Sequence, residues 1–266
     1  MVLLLTFTLR LSCSFTLTIM ADVLTARQTR ILKTLIDEYI ETAEPVGSEA
    51  LDKKYNLEVS PATIRGEMVT LTADGYLRQP HTSAGRIPTP KAMKFYINQL
   101  MDESQMSVAE EVKAKEGLMS AKDDVDRVLA EATHELAQIT KSLCVAALND
   151  EDRVWHSGYA NVFVNPEFAN IQTTASIFSL LEEFRRMHEL FFERMTGASS
   201  VEVIFGEELG WPELYPIGVV GTQFNVLGKR GALGVIGPAR LPYSRVIPIV
   251  RYFRDIIEES FATQEV

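Results

Sequence analysis

Apolar residues recur at helical spacing in three short segments near the N-terminus, and a strand-like stretch rich in turn residues follows them. The predicted helices begin at good cap residues. The third has Ser60 at its cap and Pro61 in its first turn, and it ends at Asp74-Gly75. Three helices followed by a hairpin predict a winged helix-turn-helix. The segments are helices over 25–42, 48–55 and 60–74 and a hairpin over 76–90.

The segment 107–143 is rich in Ala, Glu and Lys and has its own helical pattern. Its apolar residues alternate 4 and 3 positions apart, which is the a/d seam of about two and a half heptads. Two partners remain open for this seam: the C-terminal domain of the same chain, or the seam of a second chain in a dimer. The residues predicted to form the interchain contact are Val125, Leu129, Leu136 and Ile139.

Helix signals return at 175–195 and 243–261, and strand-like runs lie between them at 201–205, 217–220 and 232–236. Because the order has no regular βαβ repeat, the sequence predicts an α+β fold. We expect four parts along the chain: an extension that does not belong to the native protein, a winged helix-turn-helix DNA-binding domain, a helical linker and a GAF-like regulatory domain. Their boundaries are 1–19, 20–100, 101–143 and 144–266.

The outer face of the third helix is where DNA contact is expected. Ile64, Met68 and Leu71 share the face that packs inward, and the opposite face is small and weakly polar. Such a face fits a major groove about 12 Å wide, and the helix N-terminus and the hairpin supply groups that bind phosphate. The residues predicted to contact DNA are Ser60, Thr63, Arg65, Thr70, His81, Thr82, Ser83 and Arg86.

Net charge changes this picture only when it is counted by segment. The 266-residue chain carries −10, which would ordinarily argue against a nucleic-acid partner. Residues 21–100, however, hold ten basic and ten acidic side chains, and residues 101–266 carry −11. Within the neutral segment, residues 78–94 contain five basic side chains, counting one histidine, and no acid. The acidic half therefore does not exclude DNA binding by the N-terminal half.

The first twenty residues and the cysteines are informative about the cellular location of the protein and about metal binding or catalysis. From Leu5 to Ile19 apolar and polar residues alternate, with Arg10 in the middle, which suits neither a signal peptide nor a membrane helix. We expect translation to start at Met20; an edge strand or a weak export signal are the alternatives. With two cysteines and no metal-binding or catalytic spacing, we predict no cofactor, no metal, no enzymatic activity, no membrane association and a cytoplasmic location.

Several motifs resemble those of the heat-inducible transcription repressor HrcA family. They are Glu41-Thr-Ala-Glu-Pro-Val-Gly-Ser48, Ser60-Pro-Ala-Thr-Ile-Arg65, Gln79-Pro-His-Thr-Ser-Ala-Gly-Arg-Ile-Pro-Thr89, Asn165-Pro-Glu-Phe168 and Gly234-Val-Ile-Gly-Pro-Ala-Arg-Leu-Pro-Tyr243. The resemblance implies a repressor of chaperone operons that binds double-stranded DNA, an inverted-repeat operator, as a homodimer and is released on heat stress. It also implies that the chaperonin GroEL helps to keep the repressor active.

Two positions depart from the family pattern. Gly66 stands where the family usually has Asn, which removes a base-reading side chain and costs about 1 kcal/mol of helix stability relative to Ala. The interval from Leu143 to Trp155 is also too short to hold the inserted dimerising domain that the family usually has. A different class of function remains open: a winged-helix regulator whose C-terminal domain senses a small metabolite.

Overall fold

The computed structural model describes residues 24–122, 124–151 and 153–262. The predictions for residues 1–19 lie outside these ranges. The helices are α1 Ala26–Thr42, α2 Ser48–Tyr55, α3 Pro61–Ala73, α4 Pro90–Phe95, α5 Val108–Ser120, α6 Val125–Thr140, α7 Tyr159–Val162, α8 Ile171–Glu182, α9 Phe184–His188, α10 Gly206–Leu209 and α11 Tyr243–Ala262. The strands are β1 Leu77–Arg78, β2 Ile87–Pro88, β3 Leu143–Leu148, β4 Val154–Ser157, β5 Glu202–Phe205, β6 Ile217–Val226 and β7 Lys229–Pro238.

The N-terminal unit has the element order that the sequence predicts. Thr25 caps α1 in a capping box with Gln28, and Ser60 caps α3 with Pro61 in the first turn. Ile64, Met68 and Leu71 are buried against α1 and α2. The hairpin pairs Leu77 with Pro88 and Arg78 with Ile87 in an antiparallel ladder directly after α3.

The C-terminal unit is built on a five-stranded antiparallel sheet in the order β4-β3-β7-β6-β5. Helices α6 and α11 pack on the sheet, and α8, α9 and the turns beside them contribute to a second apolar cluster. Mixed helices and antiparallel strands of this kind form the α+β, GAF-like fold that was predicted. The helix signal over 243–261 corresponds to α11, in which the apolar residues Val246, Ile249, Val250, Phe253 and Ile257 are all buried.

Both faces of the sheet are covered, which explains why β3 was missed in the sequence. Leu143, Val145 and Ala147 belong to one apolar cluster, whereas Cys144 and Ala146 belong to the other. A strand buried on both faces has no alternation of apolar and polar residues, so its period-two signal vanishes. The four-residue strand β4 was missed as well; it pairs with β3 at the edge of the sheet.

The segment 101–143 is not a linker. It holds two helices, α5 and α6, separated at Ala121–Asp124, and both pack against α11, while α6 also contacts β3 and β4. The amide of Ser104 donates to the carbonyl of Ser244 (2.8 Å), a carbonyl that Pro248 cannot bond within α11 because proline has no N–H. These contacts make the segment part of the C-terminal unit.

The apolar seam of α6 packs within its own chain. Leu129 and Leu136 are both 0% exposed and lie in the core with residues of α5, α11 and the sheet. Val125 and Ile139 are partly buried against the same core. Leu129 and Leu136, at the centre of the seam, have no accessible surface and cannot contact a second molecule. The predicted interchain seam is therefore corrected to the intrachain alternative.

Candidate nucleic-acid interface

The N-terminus of α3 is ordered by its own hydroxyl side chains. The Thr63 amide donates to Ser60 Oγ (3.2 Å), and the Ser60 and Thr63 hydroxyl oxygens lie 2.9 Å apart. The Thr63 amide is thereby satisfied and Pro61 has no N–H, while the positive end of the helix dipole lies at this end of α3. A helix end of this kind binds phosphate groups, and the phosphate contact of Ser60 and Thr63 stays a prediction.

The outer face of α3 is exposed and offers little steric bulk. Arg65, Gly66, Val69 and Thr70 are exposed, Val69 to 54%. Apart from the backbone of its own helical turns, no atom of the described residues lies within 4 Å of the position where a Cβ on Gly66 would be. The face can therefore approach a base-pair edge closely, with the Arg65 guanidinium for a guanine or a phosphate and the Val69 methyl groups for a thymine methyl.

The wing, residues 79–86, is held in shape by the side chain of Gln79 and by the backbone of Val46. The Gln79 side-chain amide donates to the carbonyls of Thr82 (2.9 Å) and Ala84 (2.8 Å). Arg86 and Val46 exchange backbone hydrogen bonds of 2.8 and 2.9 Å. A Cβ on Gly85 would lie 2.5 Å from the carbonyl carbon of Val46, so only glycine permits this approach. The tip residues, among them Thr82 and Ser83, remain exposed.

Three cationic side chains line one cleft between α2, α3 and the wing. The cleft has a volume of about 650 Å³, and Lys53, Arg65 and Arg86 line it together with a single acid, Glu49. Arg86 Nε donates to Thr72 Oγ1 of α3 (3.2 Å), which fixes the guanidinium beside the recognition helix without neutralising it. Neither Lys53 nor Arg65 forms an ion pair with any residue in the described ranges.

The other cations of the stretch 78–94 do not face this cleft. Arg78 forms an ion pair with Glu207 (2.9 Å), and Lys94 forms one with Glu208. Lys91 donates to the Asp74 carbonyl at the end of α3 (2.8 Å) and lies over the Tyr76 ring. The basic residues of the stretch 78–94 therefore fall into two groups. Arg78, Lys91 and Lys94 bind groups of the protein itself, whereas His81 and Arg86 lie on the wing.

The sequence reading missed Lys53 and Gln79. Lys53 lies on α2, and only the packing of α2 beside the wing brings it to the cleft that Arg65 and Arg86 line. Its neighbour Lys54 is held instead by Glu38 and Glu41 of α1. Two adjacent lysines, Lys53 and Lys54, at the end of α2 are the sequence feature that indicates a cationic surface there. The sequence does not show which of the two lines the cleft.

The reactive side chains of the C-terminal unit that the structure describes are buried or paired. Complete burial raises the pKa of the Cys144 thiol to about 12, so that it is a poor nucleophile. The neighbouring carboxylates Glu207 and Glu208 form the ion pairs with Arg78 and Lys94. In the part of the chain that the structure describes, no group of three His, Cys, Asp or Glu residues could hold a metal ion, and no helix could cross a membrane.

Comparison with known proteins places more than half of the chain in one family. Residues 69–247 match the family model "HrcA protein C terminal domain". The chain is 25% identical to the heat-inducible transcription repressor HrcA of Desulforudis audaxviator over 325 residues, which covers 85% of this chain and 94% of that protein. It is 43% identical to the HrcA of Acetivibrio thermocellus over 125 residues, covering 47% of this chain and 36% of that protein.

The fold is similar to that of a solved structure. A crystal structure of a hypothetical protein at 2.2 Å resolution matches with a TM-score of 0.74 and 20% sequence identity, and covers 91% of this chain and all of that one. The alignment with the Desulforudis protein spans 325 residues, whereas this chain has 266. The relatives therefore contain residues that this chain lacks, in agreement with the missing insert.

Proposed function

The chain belongs to the HrcA family of heat-inducible transcription repressors and is a negative regulator of heat-shock genes, and we propose that it represses chaperone operons as a homodimer on an inverted-repeat operator. A transcription repressor acts on DNA, so double-stranded DNA is its partner. In this proposal each chain binds one half-site and works in the cytoplasm, where the operator is.

The N-terminal unit acts in this proposal as a winged helix with α3 in the major groove. Arg65 reads a guanine edge or binds a phosphate, and the small face around Gly66 lets the helix enter the groove. The other contacts go to the phosphate backbone and set the register of the protein on the duplex. They come from the predicted residues Ser60, Thr63, Thr70, His81, Thr82, Ser83 and Arg86.

One observation carries this proposal. Lys53, Arg65 and Arg86 line a single cleft beside α3 whose one acidic lining residue is Glu49. The rest of the surface is acidic, with −11 over residues 101–266. A strongly acidic body repels DNA, and a local cationic cleft attracts it, so binding is confined to one face and one orientation.

Heat release is the second part of the proposal. The family membership suggests that the chaperonin GroEL keeps the repressor competent, so that heat-damaged proteins relieve repression when they occupy the chaperonin. Adding purified GroEL with ATP to an operator-binding assay should raise the fraction of active repressor. If the active fraction stays the same over a range of GroEL concentrations, this part is wrong and the operator-binding part stands alone.

The C-terminal unit itself holds an open cleft of about 520 Å³ beside Tyr159 and Phe178, which is of ordinary size for a ligand. The pocket between the two units gives less support to metabolite sensing. It is lined by Tyr39, Arg78 and Glu207 among others, and its volume is about 180 Å³. Typical small-molecule sites enclose about 300–1,000 Å³. The charged groups Arg78 and Glu207 also satisfy each other in an ion pair of 2.9 Å, so that neither needs a ligand.

Footprinting on the promoters of the organism's own chaperone genes tests the proposal. We expect protection of two half-sites related by a two-fold axis, with centres separated by whole turns of the DNA helix. A matched chain with Arg65→Gln should lose this protection and keep its fold. Protection that is absent from every chaperone promoter, or that is unchanged by Arg65→Gln, would contradict the proposed function.

A further inference from the structure

Two motifs of the C-terminal unit take no part in the DNA contact, and they meet at the end of α1. Arg240 follows β7, and Glu167 lies in the short turn Pro166–Phe168. Arg240 Nε contacts Glu167 Oε1 (2.5 Å), and Nη2 contacts Oε2 (3.2 Å), so the two side chains form a bidentate pair. Arg240 Nη1 donates to the carbonyl oxygen of Ile40 (3.1 Å).

The position of this ion pair means that it stabilises one orientation of the N-terminal unit relative to the C-terminal unit. Arg240 and Glu167 keep only 15% and 19% of their side-chain surface exposed, so solvent screens them little. The Ile40 carbonyl belongs to the last turn of α1, where the helix dipole is negative and attracts a cation. A planar guanidinium bonded in two directions tolerates little rotation of α1 relative to the sheet.

Two further ion pairs join the same two units at other elements. Glu207 of α10 binds Arg78 of β1 (2.9 Å), and Glu208 of α10 binds Lys94 of α4. Together with Arg240 these contacts reach α1, β1 and α4 of the N-terminal unit. They start from two places of the C-terminal unit, the Arg240–Glu167 pair and α10, and so oppose rotation of one unit against the other. We name the set Arg240–Glu167–Ile40, Arg78–Glu207 and Lys94–Glu208 the interdomain clamp.

We propose that Arg240 is a positioning residue for operator binding: through the interdomain clamp it sets the direction in which each recognition helix points. The inference rests on the proposed function, because orientation matters only where two winged helices must reach two half-sites at once. A single winged helix on one half-site needs no fixed orientation. The clamp should therefore affect spacing preference and leave half-site affinity nearly unchanged.

Arg240→Gln tests this, with Arg254→Gln as the matched control. Arg254 lies on α11 with 22% of its side chain exposed, and its recorded contacts go to Asp255 and Ser200 within the C-terminal unit. Affinity is measured on a half-site duplex, on the natural operator, and on an operator whose spacer is lengthened by five base pairs. That insertion turns one half-site by about half a helical turn.

Wild type and Arg254→Gln should prefer the natural spacing by about tenfold or more. Arg240→Gln should reduce this preference to about threefold or less and change half-site affinity by less than about twofold. If Arg240→Gln keeps the full spacing preference, the proposal is overturned. Absence of operator binding by the wild type would instead overturn the proposed function, so the two failures are distinguishable.

The double change Glu207→Gln and Glu208→Gln covers the case in which Arg240→Gln does not fold. Both glutamates retain at least 29% of their side-chain surface exposed, so their neutralisation leaves the core intact. This chain should also lose spacing preference while its half-site affinity is maintained. A double variant that folds and discriminates spacing as the wild type does would contradict the role of the interdomain clamp.

Discussion

Replacing Gly66 should stabilise the protein and change what it reads in DNA. Gly66 lies in the interior of α3 on the exposed face, and apart from the backbone of its own helical turns no atom of the described residues lies within 4 Å of an added Cβ. Ala in place of Gly in such a position gains about 1 kcal/mol because the unfolded chain loses less entropy on folding. With a slope of about 2–3 kcal/mol per molar urea, Gly66→Ala should raise the urea midpoint by about 0.3–0.5 M.

Gly75→Ala is the matched control, with the opposite sign. A Cβ on Gly75 would also meet open space, but the residue has φ +77° at the end of α3. An L-residue in this left-handed region costs about 1–2 kcal/mol, so the urea midpoint should fall. If Gly66→Ala lowers the midpoint, or if both changes act in the same direction, the placement of Gly66 on an open helical face is wrong.

Gly66→Asn extends the same reasoning to specificity. An Asn amide on the outer face of α3 can form a bidentate contact with adenine N6 and N7, which is worth about 1–3 kcal/mol of discrimination. Selection from operators with randomised half-sites should then show a preference for adenine, about tenfold, at one position of each half-site. An identical preference profile for Gly66→Asn and wild type would refute the entry of this face into the major groove.

Three other changes test separate parts of the structure. Arg86→Ala should weaken binding to all DNA sequences and make the slope of log K against log salt less negative by about 0.9; a loss of sequence preference at constant nonspecific affinity would contradict this. Leu136→Asp should abolish the cooperative unfolding transition seen by circular dichroism, because Leu136 is fully buried; a folded monomer in light scattering would instead restore the interchain seam. In a Cys13→Ser background, Cys144 should resist iodoacetamide at pH 8 until urea unfolds the chain, since burial raises its pKa to about 12. Near pH 8.5 the thiol ionises only in the unfolded chain. The free energy of unfolding should therefore be constant below that pH and decrease above it. Rapid labelling of the native protein would disprove the burial.

The amphipathic helices were predictable because local signals and tertiary packing agree in them. The caps Thr25 and Ser60 act as the sequence indicates, and the apolar faces of α3 and α11 are buried as predicted. The 107–143 seam shows the limit of such patterns. A heptad repeat predicts that one face of a helix is buried, but it does not predict which element buries it. Leu129 and Leu136 pack against elements of their own chain.

The candidate interface was predictable only in part, and long-range electrostatics is the reason. Arg65 and the wing tip are exposed where local reasoning placed them. Lys94, however, is paired with Glu208, a residue 114 positions away, and no local pattern contains that acid. Lys53 reaches the cleft through the packing of α2. Which cations remain available to DNA is therefore a property of the folded chain.

Tethered cleavage is the most direct test that α3 enters the operator. An iron chelate is attached to Gly66→Cys in a Cys13→Ser background, where the buried Cys144 should stay unmodified. Ala175→Cys, exposed on α8, carries the same chelate as the control. The account predicts two clusters of strand cleavage related by the two-fold axis of the operator from Gly66→Cys, and background cleavage from Ala175→Cys. Cleavage from Gly66→Cys no greater than from Ala175→Cys would contradict it.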